Sequence, residues 1–213
     1  HELLAVVPAL SGIPAYEEVD VDLIDTMLDE AEKVATELVA PINGPGDRQG
    51  CRLDADGTVL TPDGYKAVFQ TFSEGGWAGL GAPVEFGGMG MPHALDAAVG
   101  EMMTGACPAF AMYPGLTRGA ANVLSKFASL DYRAMLCERM YTGQWGGTMC
   151  LTEPGAGSDV GSNRTRAVPS DEPGVYMLEG EKIFISSGDN DLFENIVHLV
   201  LARLPGAPEG TRG

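Results

Sequence analysis

Two short blocks hold most of the residues that can do chemistry. The first is Met149-Cys150-Leu151-Thr152-Glu153-Pro154-Gly155-Ala156-Gly157-Ser158-Asp159, and the second is Lys182-Ile183-Phe184-Ile185-Ser186-Ser187-Gly188. Each reads as a short β-type run that ends in small, hydroxylated and glycine residues. Such an ending places hydroxyls and free backbone N–H groups at the mouth of a sheet, where a planar, anionic ligand can lie. Taken alone, the glycines suggest a dinucleotide-binding turn, but that fingerprint needs G-x-G-x-x-G between a strand and a helix. Here Gly155, Gly157 and Gly161 are spaced G-x-G-x-x-x-G, and Ser162 to Arg166 has no helical period. The dinucleotide reading is rejected.

Charge narrows the ligand further. The chain carries 30 Asp and Glu against 13 Lys and Arg, a formal net charge of −17. Such a field repels nucleic acid and anionic membrane, so neither is an expected partner. An anionic ligand must then be held by local N–H donors, hydroxyls and a few placed cations. Cys51, Cys107, Cys137 and Cys150 are irregularly spaced without a CxxC pair, and His1, His93 and His198 add no metal-ligand spacing. Reduced, mostly buried thiols are expected, and no metal. No apolar run reaches the roughly 18–20 residues of a membrane span. The start shows no basic flank followed by an apolar stretch and a cleavage site. A cytoplasmic, soluble protein is expected.

The elements that must position the two blocks follow from periodicity. Ile24, Met27, Leu28, Ala31, Val34, Ala35 and Leu38 recur at helical spacing. Asp20 or Asp22 caps this predicted helix, and Pro41 with Gly44 stops it. Thr61-Pro62 is predicted to open a second helix with Tyr65, Val68, Phe69 and Phe72 inward, ended by Gly75-Gly76. Gly79 to Pro92 is turn-rich. Three more helical faces follow: Leu95, Ala98, Val99, Met102 and Met103; Leu116, Ala120, Val123, Leu124 and Phe127; and, after a Ser129 cap, Met135, Leu136 and Met140. These stripes read as core packing.

Strand character begins near Gly146-Gly147. Predicted strands are Thr148–Thr152, Val175–Glu179 continuing past Gly180 into Lys182–Ser186, and Ile196–Leu204, with a turn at Pro169 to Gly174. Ile196 to Leu201 is almost continuously apolar, the pattern of a strand buried on both faces. So few strands cannot bury it, which predicts an open edge or a second copy against it. The loop-like run Gly206 to Gly213 adds to the expectation of a fragment.

Together the two blocks resemble the flavin-binding signature of the acyl-CoA dehydrogenase family. Gly146 to Asp159 is similar to its T-E-P-x-A/G-G-S-D block, and Lys182 to Gly188 to its K-x-W-I-T-N-G block with substitutions. Gly76-Trp77, Gly79, Pro83 and Phe86-Gly87-Gly88-Met89-Gly90 look like the family's loop between N-terminal helices. The resemblance implies an α+β chain: an N-terminal all-α domain over 1–145, then over 146–213 the start of a middle β-barrel or β-sandwich domain, with the C-terminal helical bundle absent. It implies FAD as cofactor, and α,β-dehydrogenation of an acyl-CoA thioester to the enoyl-CoA in fatty acid metabolism. An electron-transfer flavoprotein is the implied electron acceptor and a homo-oligomer the implied assembly.

Residue by residue, the resemblance lays the backbone of Cys150, Leu151 and Thr152 against the isoalloxazine, with the Thr152 hydroxyl near N5. Gly157 and Ser158 approach the FAD pyrophosphate, and Ser158 also meets the pantetheine of the substrate. Phe184 stands where the family has Trp on the flavin face, Ile185 beside it, and Ser186 stands for a Thr hydroxyl. Glu153, Asp159 and Lys182 read as structural, closing turns or making surface pairs. The catalytic carboxylate base is expected beyond Gly213, and Phe110 to Leu116, with a kink at Pro114-Gly115, line the acyl pocket. The segment Asp47–Asp63 and the run from Ser187 to His198 look most like the longer bacterial subgroup, which includes enzymes of 3-methylmercaptopropionyl-CoA, a short thioether substrate. The alternatives are an acyl-CoA oxidase or flavin monooxygenase on the same scaffold, and a non-catalytic interaction module.

Overall fold

A computed structural model describes residues 5–213; His1 lies outside the described residues. After a short α1 (Val6–Leu10), α2 (Val21–Lys33) starts where Asp20 caps it, its carboxylate accepting from the Leu23 N–H at 2.8 Å. Pro41 and Gly44 do not stop the helix. A π-helical segment (Val34–Val39) interrupts the hydrogen-bond ladder, and α3 (Ala40–Gln49) begins afresh. Pro41 thereby falls just after the π-helical segment, in the first turn of α3.

The predicted long connection that follows contains an antiparallel hairpin, β1 (Arg52–Leu53) and β2 (Val59–Leu60). α4 (Tyr65–Glu74) starts three residues later than Thr61-Pro62 predicts, after Gly64 at φ 90°. Thr61 does not cap it, because its hydroxyl and N–H both donate to Asp191 Oδ1 at 2.8 Å. Tyr65, Val68, Phe69 and Phe72 are buried as expected, and Gly75 ends the helix.

The turn-rich stretch then leads into α5 (His93–Ala106), α6 (Pro108–Phe127) and α7 (Leu130–Tyr141). Leu95, Val99 and Met103 of α5 join Phe110 and the aromatic face of α4 in the main core. A second cluster gathers Ala120, Ala121, Cys137, Met140 and Tyr141. The far end of the α6 stripe misses the core, since Val123 and Phe127 are exposed, as is Met135 of α7. α6 runs without a break through Pro114, so the predicted kink does not interrupt it.

The rest of the chain supplies β3 (Trp145–Cys150), β4 (Arg166–Pro169), β5 (Tyr176–Glu179) and β6 (Asn195–Val200). β3 pairs in parallel with β6, from Trp145↔Asn195 to Cys150↔Val200, and β4 pairs antiparallel with β5. A parallel bridge between Arg166 and Arg203 joins the two ladders. β4 is a strand that periodicity did not predict. Among the described residues these pairs form no closed barrel, and the edge of β6 away from β3 has no strand partner.

Lys182 to Ser186 is not a strand. Phe184 at φ 56° and Ser187 at φ 58° occupy the left-handed region, which ends any regular extended run.

Candidate functional site

The first block hangs from β3, whose middle is packed so closely against Phe193 and the helices α6 and α7 that glycine is the residue that fits there. A Cβ on Gly146 would stand 2.6 Å from the Phe193 ring, and one on Gly147 would stand 2.9 Å from Ala120 Cβ. The Gly147 N–H donates to Thr117 Oγ1 of α6 at 3.1 Å, fixing the strand's position on the helix. Strand alternation then sorts the side chains. Thr148 and Cys150 are buried, whereas Met149 is 40% and Leu151 36% exposed on the outward side. Inside, Thr148 Oγ1 lies 2.7 Å from His198 Nδ1 and 3.4 Å from Cys150 Sγ.

The two blocks meet just beyond the strand. The Ile183 N–H donates to the Thr152 carbonyl at 3.0 Å, and Lys182 Nζ donates to the Leu151 carbonyl at 2.9 Å. Lys182 also pairs with Glu153 Oε1 at 2.8 Å, with both side chains at most a tenth exposed. The reading of Glu153 and Lys182 as closing turns or making surface pairs did not anticipate this buried contact. Glu153 takes two further donors, the Arg164 N–H at 2.6 Å and the Thr165 N–H at 2.9 Å. Burial pushes its carboxyl up, but the Lys182 ammonium, Thr165 and the Arg164 N–H outweigh it and hold the group at about 2. Glu153 is thus a knot, ionised at neutral pH, tying the first block, the second block and β4 together.

What the knot leaves free is a set of unengaged groups. Among the described residues no hydrogen bond engages the hydroxyl of half-buried Thr152, that of exposed Ser158, or the N–H groups of Gly157 and Ser158. A Cβ at Gly155 or Gly157 would meet nothing within 4 Å, so the backbone there faces open space. Phe184 is 87% exposed and belongs to no core. Ser186 is exposed and Ile185 half-buried, and the Ile185 carbonyl accepts from the Gly188 N–H at 3.1 Å. Uncovered apolar side chains (Met149, Leu151, Phe184) therefore flank free donors.

A planar ring system with an anionic tail fits such a surface. The ring would cover the apolar side chains, and the free N–H and hydroxyl groups would meet its polar edge and its phosphates.

A second feature is a cleft of about 120 Å³ between α4, α5 and α6. Phe72, Val99, Met103, Phe110 and Ala111 give it apolar walls, and Pro114 and Gly115 face it. Its polar end is the ion pair of Arg118 with buried Asp96, at 2.5 Å. Sequence reading missed this pair, as it missed the Thr61–Asp191 clamp and the packing of Phe193 against Phe69, with ring centroids 4.8 Å apart. Asp96 sits on an apolar helix face without a motif, and Asp191 meets its partner across 130 positions of sequence.

The helical bundle leading into a strand pair with a T-E-P-G-A-G-S-D turn defines a class. The family model described as "Acyl-CoA dehydrogenase, N-terminal domain" matches residues 24–144, and that described as "Acyl-CoA dehydrogenase, middle domain" matches residues 148–212. The chain belongs to the acyl-CoA dehydrogenase family.

Among its relatives, 3-methylmercaptopropionyl-CoA dehydrogenase of Ruegeria pomeroyi is 44% identical over 206 residues, covering 97% of this chain and 35% of the relative. The broad-specificity linear acyl-CoA dehydrogenase FadE5 of Mycobacterium tuberculosis is 42% identical, covering 100% of this chain and 34% of the relative. The chain spans about a third of the length of these curated relatives.

The fold also superimposes on solved structures. The glutaryl-CoA dehydrogenase of Mycobacterium smegmatis matches with TM-score 0.71 at 21% identity, covering 92% of this chain and 46% of that one. An acyl-CoA dehydrogenase of Bacillus anthracis complexed with FAD matches with TM-score 0.70 at 24% identity, covering 88% and 30%.

Proposed function

We propose that the protein to which this chain belongs binds FAD and carries out α,β-dehydrogenation of a short acyl-CoA thioester, passing electrons to an electron-transfer flavoprotein. The observation that carries this reading is the junction of the two blocks. Ile183 and Lys182 bind Thr152, Leu151 and Glu153, and this leaves the Thr152 and Ser158 hydroxyls and the Gly157–Ser158 N–H groups free beside exposed apolar side chains. When bound, FAD supplies a two-electron acceptor for the hydrogen leaving the β-carbon.

The chain's own groups hold and orient. The backbone of Cys150, Leu151 and Thr152 presents the flat side of the first block to the ring, with the Thr152 hydroxyl as a donor preorganised toward its reactive edge. Phe184, Ile185 and Ser186 of the second block add an apolar wall and a hydroxyl. Gly157 and Ser158 offer N–H donors to the pyrophosphate, and the Ser158 hydroxyl also reaches the pantetheine. Glu153 does not serve as the base: its carboxylate is engaged by Lys182 and two N–H groups, and a carboxylate held at about 2 is a weak proton acceptor. The α-proton goes to a carboxylate outside this motif face.

The acyl tail enters the α5–α6 cleft. That cleft is on the order of the ~150 Å³ cavity that accepts a benzene-sized ligand, which suits a short chain, thioether included. The Ruegeria pomeroyi relative, named for 3-methylmercaptopropionyl-CoA, agrees with that size. Four unpaired cysteines fit a reducing, cytoplasmic setting, and among the described residues no helix is long and apolar enough to cross a membrane. Exposed Phe127, Leu130 and Tyr132 fit burial against another copy in a homo-oligomer.

The test is direct. The full-length protein, purified, should be yellow with a flavin spectrum, and a short acyl-CoA added anaerobically should bleach it. A colourless preparation, or flavin that stays oxidised with acyl-CoA, would overturn the reading. Rapid reoxidation of the bleached enzyme by dioxygen would make it an oxidase or monooxygenase on the same scaffold.

A further inference from the structure

We propose that a basic groove beside Ser158 binds the phosphates of the substrate's coenzyme A nucleotide through Arg164 and Arg166. The groove is about 640 Å³, within the range of small-molecule sites, and lies between the segment from Asp159 to Arg166 and the loop from Arg203 to Gly210. It begins one residue after Ser158, so a ligand lying along the motif runs into it.

Arg164 and Arg166 are exposed, flank buried Thr165, and both line the groove. Among the described residues neither guanidinium makes a hydrogen bond or an ion pair. Glu179 stands opposite Arg166 in the β4–β5 register without pairing with it.

A third cation builds the floor. The Arg203 Nε donates to the Asn163 carbonyl at 3.0 Å, and its terminal nitrogens donate to the carbonyls of Pro208, Gly161 and Gly210. All these acceptors are neutral, so the charge of Arg203 is not cancelled by any of them. It folds the loop back and adds positive potential to the groove it shapes. The carboxylates of Asp159 and Glu209 also line the groove, and Asp159 accepts a hydrogen bond from the Ser162 hydroxyl.

In a chain of net charge −17, bulk attraction for a nucleotide carrying several phosphate charges is absent. Two unpaired arginines over an uncancelled third supply it locally, and each guanidinium fork matches a phosphate. The inference rests on the acyl-CoA reading above and gives that substrate's nucleotide end a binding site.

The experiment uses the full-length flavoprotein and one acyl group on two carriers, coenzyme A and pantetheine, the latter lacking all phosphates. For the wild type, KM should be lower with acyl-CoA than with acyl-pantetheine. Arg164→Gln combined with Arg166→Gln should raise KM for acyl-CoA about tenfold or more at nearly unchanged kcat. It should leave KM for acyl-pantetheine within about twofold, and Lys at both positions should restore part of the difference.

An equal rise on both carriers, no rise on either, or loss of FAD from the double variant with unchanged KM would overturn the assignment. Bleaching of the wild type by acyl-pantetheine separates the two ideas. Bleaching with no advantage for the CoA carrier ends the groove proposal alone, and no bleaching by either thioester ends the dehydrogenase reading.

Discussion

The ammonium of Lys182 lies 2.8 Å from Oε1 of Glu153, and through that contact two blocks 29 positions apart become one surface. Each ion has further partners: Lys182 donates to the Leu151 carbonyl, and Glu153 accepts the Arg164 and Thr165 N–H groups. Burial of both side chains makes the pair costly to break from one side only. Lys182→Met in the full-length protein should therefore cost about 3–5 kcal/mol, read from urea denaturation. A loss under about 1 kcal/mol, as for an exposed pair, would show that the knot is not structural.

The same carboxylate sets a pH dependence. Glu153 is held at about 2, below its ordinary 4.5, so folding favours its ionised form. Its contribution is fully present above about pH 4.5 and is lost as pH falls toward 2. The denaturation midpoint of the wild type should fall through that window more steeply than that of Glu153→Gln. Parallel profiles would contradict the assignment.

Thr152 offers a hydroxyl with no partner among the described residues, next to the segment expected to face the flavin. Thr152→Ala removes a donor preorganised for the reaction, so flavin reduction in stopped-flow should slow by about 10²-fold. The Kd for substrate should change little, because a donor that acts in the transition state contributes little to ground-state binding. A weakened Kd with an unchanged reduction rate would place the hydroxyl on the substrate instead.

Asp191 fastens the loop behind the second block to the segment leading into α4 by accepting the N–H and hydroxyl of Thr61. Burial raises its carboxyl, but the two Thr61 donors and nearby Lys66 bring it below its ordinary value. Asp191→Ala strands the Thr61 N–H and should cost about 1–3 kcal/mol. Hydrogen exchange should then rise in residues 187–194 before it rises in α4. Uniform loosening would mean that the clamp is not local.

Gly88 marks the tightest backbone approach in the turn-rich stretch. A Cβ there would stand 2.2 Å from the Ala82 carbonyl oxygen, which is backbone and cannot swing aside. Gly88→Ala should destabilise the protein by about 1–3 kcal/mol, lowering the urea midpoint without changing the m-value. Gly157→Ala, with nothing within 4 Å of its Cβ, should leave stability nearly unchanged and serves as the control.

The sequence by itself determined what depends on local chemistry and period. The inward faces of α2, α4 and α5 were legible because apolar side chains recur every turn, and Asp20 was legible as a cap from its place before that pattern. The two blocks stood out because each gathers hydroxyls and glycines and because together they resemble the family's flavin-binding signature, although the strand expected of the second did not form. The apolar run of β6 was legible as a strand with an unsatisfied edge.

Only the tertiary structure decided the rest, because it depends on groups distant in sequence. Pro41 reads as a stop until the π-helical segment before it resets the ladder. Thr61 reads as a cap until Asp191 takes its hydroxyl. The second block reads as a strand until Phe184 turns left-handed, and its link to the first comes from Ile183, Lys182 and Glu153 rather than from a ladder. No periodicity encodes those contacts: each forms only when folding brings its two partners together.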